Sequence, residues 1–148
     1  MKNIFFLIII FLSLSCKKEC ELPEETIGSG LIVSNGSIID TTLFLGIESK
    51  DYVIRTDSQN VFNLKVSFDN NLTKDSIDFS KYTVLGKYAS GQCRVVFERD
   101  VSKNKEQKKY IYTIRVKECG NCESITGYIN WVLIPKIEED FSVSFKVE

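Results

Sequence analysis

Two runs of alternating apolar and polar positions stand out between residues 93 and 122. Both runs have the period of a β-strand, and a charged segment separates them. Placing Phe97 opposite Ile114 and Val95 opposite Val116 gathers the apolar side chains of both runs on one face. A slip by one residue would bury basic side chains instead. We therefore predict an antiparallel hairpin with this register, whose outer face and tip are charged.

Shorter alternating segments occupy most of the remaining chain. Ser34–Ser37, with Asn35-Gly36 at its centre, lies between two apolar runs and predicts a type I′ hairpin of Leu31–Val33 with Ile38–Ile39. Ala89–Gly91 is predicted to turn the chain into the central hairpin. Tyr128–Ile134 carries apolar residues on both faces, which is typical of a buried central strand. Further strands are predicted at 42–48, 52–55, 61–68, 82–88 and 141–147. In the last of them the apolar side chains are predicted to point inward: Phe141, Val143, Phe145 and Val147.

Residues 57–67 carry conflicting signals. Thr56–Gln59 has the pattern of a helix start, whereas the β-branched and alternating residues of 61–68 favour a strand. We predict a strand there and keep one short helix near 57–67 as an alternative. Many short strands separated by turns predict a single-domain, all-β fold, either an antiparallel sandwich or a barrel-like roll.

The first residues are typical of an export signal. Lys2 precedes an apolar run over 4–14, which is too short to cross a membrane. The segment Leu12–Cys16 resembles a bacterial lipobox, and this resemblance implies cleavage before Cys16 and acylation of Cys16. An ordinary signal peptide that merely ends near Cys16 is the alternative. We predict a lipoprotein signal peptide at 1–15, a flexible tether at 16–30 and a β-domain at 31–148.

The start of the tether, Lys17-Lys18-Glu19, is similar to the tethers of lipoproteins of the Bacteroidota. In that phylum such a start can direct export to the cell surface. The resemblance implies a lipid-anchored protein of the outer membrane, facing either the periplasm or the cell surface. Its contact with the membrane would then be the lipid anchor.

Composition excludes several functional classes. The chain has no histidine, which removes histidine-dependent catalysis and the commonest metal ligand. Its formal net charge is −1, so nucleic acid is not an expected partner. We predict no enzymatic activity, no cofactor and no bound metal.

Four of the five cysteines lie beyond Cys16, and an even number in an exported protein predicts disulfides. In the predicted register Cys93 lies on the core face and Cys119 on the outer face, which favours a bridge from Cys93 to Cys122. Cys20 is either paired or left free, because several connectivities remain open. A four-cysteine zinc site and a redox role of Cys119 and Cys122 are the less favoured alternatives, since no helix follows the CGNC segment.

Two surface features are candidate sites. The basic hairpin tip is a candidate binding surface, although such charges also keep hairpins soluble and block edge pairing. Arg99 lies just below this tip and shares the face of Phe97. Asp75-Ser76-Ile77 and Asp40-Thr41-Thr42 resemble O-glycosylation sites of the Bacteroidota, with Ser76 and Thr41 as acceptors. The lysines of the tip are Lys103, Lys105, Lys108 and Lys109.

The segment Ile77–Gly86 resembles a signature of PrcB-like C-terminal domains, a family associated with a subunit that stabilises a surface protease complex. The resemblance implies a non-catalytic β-module that binds protein. We therefore predict a lipid-anchored envelope protein that binds another envelope protein, such as a protease or an assembly. The alternative is a lipoprotein that binds a glycan or small ligand, for which exposed aromatic side chains are the expected sign: Tyr82, Tyr88, Tyr110 and Tyr128.

Overall fold

The computed structural model describes residue 22 and residues 28–40, 50–69 and 73–148. These residues form an all-β, sandwich-like single domain, as predicted. The predicted strand at 42–48 lies outside the described residues. The strands are β1 (Gly28–Gly30), β2 (Gly36–Ile39), β3 (Asp51–Ile54), β4 (Lys65–Phe68), β5 (Asp75–Ser76), β6 (Tyr82–Gln92), β7 (Arg94–Asn104), β8 (Lys109–Cys119), β9 (Ile125–Pro135) and β10 (Ser142–Val147).

The strands form three sheets. We call β1-β7-β8-β10 the hairpin sheet, β3-β6-β9 the middle sheet and β2-β4-β5 the small sheet. One face of the middle sheet packs its Leu85 and Val132 against the hairpin sheet. The opposite face packs Val84 and Leu133 against the small sheet. The middle sheet is therefore buried on both faces over residues 130–134, which confirms the prediction there, whereas Tyr128 is exposed.

The central hairpin forms with the predicted faces but not with the predicted register. Phe97 lies opposite Val116, where Ile114 was expected, so the pairing is shifted by two residues and the inward faces are unchanged. The predicted register would require a tight turn at Lys105-Glu106, with positive φ at residues that disfavour it. The loop 105–108 forms instead, closed by a 2.9 Å hydrogen bond from Gln107 N to Asn104 Oδ1.

The predicted hairpin of 31–33 with 38–39 is wrong. β1 pairs parallel with β7, whereas β2 pairs antiparallel with β4 in a different sheet. The connecting segment passes along the edge of β9, where Val33 N donates to Leu133 O at 2.9 Å. Neither Asn35 nor Gly36 has the positive φ that a type I′ turn requires. The bonds to β7 and β9 therefore prevail over the local turn signal.

The predicted turn at 89–91 is also wrong, because β6 continues to Gln92. The chain changes direction at Cys93, which has φ +59° and donates its N–H to Ser124 O at 2.9 Å. β6 and β7 thus belong to different sheets. The middle sheet passes directly into the hairpin sheet at this corner.

The helix-start signal and the strand signal in residues 57–68 each correspond to an element of the structure. A 3₁₀ turn occupies Asp57–Gln59, and β4 follows after a short connection. The Asn60 side chain holds that connection by accepting from Leu64 N and donating to Leu64 O, at 2.9 and 3.1 Å. Phe62 and Leu64 are buried in the core beneath the small sheet. The preferred strand and the alternative short helix are therefore each confirmed over part of the segment.

β10 pairs parallel with β8, so the sandwich is not purely antiparallel. The predicted inward side chains Phe141, Val143 and Phe145 do pack against the core of the hairpin sheet. Val147 was predicted to point inward as well, but it is 44% exposed. The last strand therefore leaves the core at its end.

Candidate functional site

The cysteines close the end of the hairpin that lies opposite its tip. Cys93 and Cys122 form a disulfide, which confirms the favoured pairing. Cys119 is disulfide-bonded too, so the described cysteines offer no free thiol for redox chemistry. Within the described ranges no cluster of three or more Cys, Asp or Glu side chains is arranged to hold a metal ion. Cys16 and Cys20 lie outside the described residues.

At the hairpin tip, Lys103 belongs to a network with the acidic turn 138–140. Its Nζ lies 2.6 Å from Glu138 Oε1 and 4.4 Å from the centre of the Phe141 ring. The Tyr110 hydroxyl donates to Glu138 Oε2 at 2.7 Å. The hydrogen bond to Lys103 lowers the pKa of Glu138, and the same bond raises the pKa of Lys103. The Lys103 ammonium group is therefore engaged in contacts within the domain and is not free to bind an anionic partner.

The other lysines of the tip divide into a paired and an unpaired set. Lys108 Nζ lies 2.6 Å from Asp140 Oδ2. Lys105 and Lys109 have no acidic partner within the part of the chain that the structure describes. The turn 138–140 thus neutralises half of the predicted basic surface.

The remaining predicted positions do not gather into a site. Ser76 is exposed on β5, and Lys65 Nζ lies 3.3 Å from its hydroxyl, whereas Thr41 lies outside the described residues. Tyr110 is buried, and Tyr128 is 47% exposed with its ring against Phe97. Tyr82 and Tyr88 are both half-buried, so the tyrosines do not form an exposed aromatic platform.

The Ile77–Gly86 signature has a structural role at the start of β6. Asp78 Oδ1 accepts hydrogen bonds from the N–H and hydroxyl of Ser80, at 3.0 and 2.5 Å. The hydrogen bond from the Ser80 side chain lowers the pKa of the Asp78 carboxyl most, and the hydrogen bond from the Lys81 side chain lowers it further. Phe79, in the same turn, is buried beneath the small sheet. The motif fixes the turn that leads into β6, and the side chains of Asp78, Ser80 and Lys81 are exposed there.

The feature that sequence reasoning missed is the free edge of β10. Ser142 N donates to Lys108 O and Glu148 N donates to Ile114 O, so even-numbered residues bond to β8. Val143, Phe145 and Val147 therefore turn their backbone N–H and C=O groups to the other side. Over the described ranges no strand pairs with that side. We call these outward backbone groups of Val143, Phe145 and Val147 the β10 edge.

The surroundings of the β10 edge leave it open and basic. Arg55 Nη2 donates to Phe141 O at 3.1 Å and covers only the beginning of this side of the strand. Lys146 projects from the outer face and has no acidic partner among the residues the structure describes. At the opposite edge of the hairpin sheet, β1 is shorter and includes Gly30 with φ +69°. The β10 edge is thus the longer and more regular of the two.

Comparisons of the chain with protein-family models, with curated proteins and with solved structures found no match. In the described part of the chain, no helix has the length and apolar character needed to span a membrane.

Proposed function

We propose that this protein is a lipid-anchored, non-catalytic component of the bacterial outer membrane that binds another envelope protein. The observation that carries the proposal is the β10 edge. An extended segment of the partner adds to the hairpin sheet as a further strand, and its backbone pairs with the outward groups of Val143, Phe145 and Val147.

The physical reason is that an open strand edge presents N–H and C=O groups in a regular row. Such a row pairs readily with another chain, and proteins usually shorten, cover or charge it. Arg55 covers one end of this row, and the rest of the row stays open. Lys146 stands on the outer face beside it, so a partner segment with acidic side chains on that face fits best.

The sequence supports the location of this binding event. The export signal, the lipobox at Cys16 and the tether support anchoring at the outer membrane, on either its periplasmic or its external side. The resemblance of Ile77–Gly86 to PrcB-like domains supports a protease or an assembly as the class of partner. Binding of a glycan is less supported, because the four candidate tyrosines do not form an exposed platform.

In-cell crosslinking tests the proposal. A photo-crosslinking amino acid replaces Ser144 on β10 in one strain and, as a matched control, exposed Ser102 on the interior strand β7 in another. We expect one dominant envelope protein to be captured from the Ser144 position, at least about tenfold above the Ser102 position. Mass spectrometry identifies the captured protein.

Three other outcomes would overturn the proposal. Equal capture at Ser144 and Ser102 would mean that the β10 edge has no special role. Capture of a second copy of this chain would make the edge a dimer interface. Absence of any captured protein would favour the small-ligand function.

A further inference from the structure

The end of the domain opposite the hairpin tip brings the middle sheet and the hairpin sheet together. Cys93 N donates to Ser124 O at 2.9 Å there, between the last residue of β6 and the first residue of β9. We call residues 91–94 and 117–128, which form this end, the cysteine end.

The cysteine end carries a second disulfide. Cys119 is disulfide-bonded, whereas Cys93 and Cys122 are bonded to each other. The chain has five cysteines, so the partner of Cys119 is one of the remaining two, Cys16 or Cys20. Acylation of the Cys16 sulfur, as proposed above, would prevent that sulfur from entering a disulfide. The partner of Cys119 is then Cys20.

The direction of β1 is consistent with this bridge. β1 runs parallel to β7 with Gly28 opposite Arg99, so the chain enters β1 from the side where β7 begins, at Arg94. Arg94 lies opposite Cys119 on β8. At the usual strand rise and spacing, Cys119 lies about 20 Å from Gly28. An extended chain from residue 28 back to Cys20 spans up to about 28 Å, so the bridge is within reach.

The bridge would hold the cysteine end close to the lipid. Only residues 17–19 separate Cys16 from Cys20, so Cys20 lies within about 14 Å of the acylated residue. Without the bridge, the connection from Cys16 to the beginning of β1 would reach about 42 Å. The bridge forms when two thiols exchange with a disulfide of an envelope oxidant, which leaves as two thiols.

The cysteine end also exposes two large side chains on β9. Ile125 is 70% exposed and Tyr128 is 47% exposed. Ile125 pairs with Gln92 at the extreme end of the middle sheet, and Tyr128 lies about 10 Å further along the strand. Isolated exposed apolar residues are common in proteins, but these two lie at the end that the anchor reaches. An apolar tip with a tyrosine behind it suits the boundary between acyl chains and head groups.

The charges of the cysteine end are balanced. Two basic and two acidic side chains are exposed there: Arg94, Lys117, Glu118 and Glu123. A lipid surface without net charge is therefore neither attracted nor repelled by this end, and contact with it depends on the apolar side chains.

We propose that the cysteine end lies against the lipid surface of the membrane, held by a disulfide between Cys20 and Cys119 and by contact of Ile125 and Tyr128 with the lipid. This inference depends on the proposed lipid anchor at Cys16.

The proposal also determines how far the β10 edge lies from the lipid. β10 pairs with β8 only as far as Ile114, which is about 17 Å along β8 from Cys119. A partner strand at the β10 edge would therefore bind clear of the lipid head groups.

Fluorescence quenching tests the contact in the full, acylated chain reconstituted into phosphatidylcholine vesicles. A dansyl-bearing amino acid replaces Ile125 in one protein and, as a matched control, exposed Glu106 at the hairpin tip in another. The vesicles contain a lipid with a nitroxide high on its acyl chain, which quenches emission only at short range. We expect emission from position 125 to be quenched at least about threefold more than emission from position 106.

Two further measurements examine the bridge. Peptide mapping without reduction should link Cys119 to Cys20. The double variant Cys20→Ser with Cys119→Ser lengthens the connection to the anchor, so quenching at position 125 should fall at least about twofold. The map and the comparison of positions 125 and 106 replace no cysteine, so they decide even if the double variant does not fold.

Equal quenching at positions 125 and 106, or a link from Cys119 to a cysteine other than Cys20, would overturn the proposal. Unchanged quenching in the double variant would overturn the role of the bridge. The mass of the peptide that contains Cys16 separates these failures from failure of the anchor. Acylated Cys16 without preferential quenching at position 125 overturns only the contact with lipid, whereas unmodified Cys16 overturns the lipid anchor of the proposed function.

Discussion

Replacing Gly86 by alanine is expected to lower the free energy of unfolding by about 3 kcal/mol, because the new methyl group overpacks the core. Gly86 pairs with Trp131 across β6 and β9, and a Cβ at Gly86 would overlap ring atoms Cε3 and Cζ3 of Trp131. The ring cannot retreat easily. Its Nε1 donates to Asp40 Oδ2 at 3.0 Å, and the Phe62 ring lies 5.2 Å away.

Urea unfolding measures this effect. The transition is monitored by the fluorescence of Trp131, the single tryptophan of the chain. Gly28→Ala is the matched control, because its Cβ would come no closer than 3.3 Å to a neighbour, the Ile32 side chain. We expect that control to change stability by less than about 1 kcal/mol. Similar values for the two variants would show that Trp131 does not pack on Gly86 in this way.

Removing the bridge between Cys93 and Cys122 is expected to cost about 3 to 4 kcal/mol, from the loop that it closes in the unfolded chain. The two residues are separated by 29 positions, and the bridge ties the corner between β6 and β7 to the segment that precedes β9. The double variant Cys93→Ala with Cys122→Ala is preferred, because a single replacement would leave a reactive thiol beside Cys119.

Peptide mapping without reduction comes first in this test. It should show Cys93 linked to Cys122 and Cys119 linked to another cysteine, with fragmentation between Cys119 and Cys122 assigning each bridge. The urea midpoint of the double variant should then fall, with a slope equal to that of the wild type or steeper, because the unfolded chain loses a constraint. A linked pair that joins Cys93 to Cys119 would contradict the structure. An unchanged midpoint would mean that the bridge does not constrain the unfolded chain.

Local patterns predicted the faces of the strands well, because burial of one face depends mainly on period-two alternation. Phe97 and Ile114 point inward as predicted, even though they are not opposite each other. The register depended on the loop 105–108, whose closure by Asn104 was not recognised in the sequence. Connections between sheets were harder to predict than the register. Asn35-Gly36 has the sequence of a type I′ hairpin turn, but it lies in a segment that connects two different sheets.

The candidate sites depend on long-range contacts, and this explains why the sequence indicated them poorly. The tip lysines carry no local sign that Glu138 and Asp140 pair with two of them. The β10 edge exists because β10 is the outermost strand of the hairpin sheet, beside β8, and no pattern within residues 141–147 predicts that position.

The most direct test of the central claim is to block the β10 edge while its side chains stay nearly unchanged. Val147→Pro removes one outward N–H and adds a ring in its place, whereas Val147→Thr keeps the N–H and the shape. Both substitutions lie at a position that is 44% exposed. We predict that crosslinking from Ser144 to the partner protein falls about tenfold in Val147→Pro and is retained in Val147→Thr. Equal crosslinking in the two variants would contradict the claim that a partner strand adds to this edge.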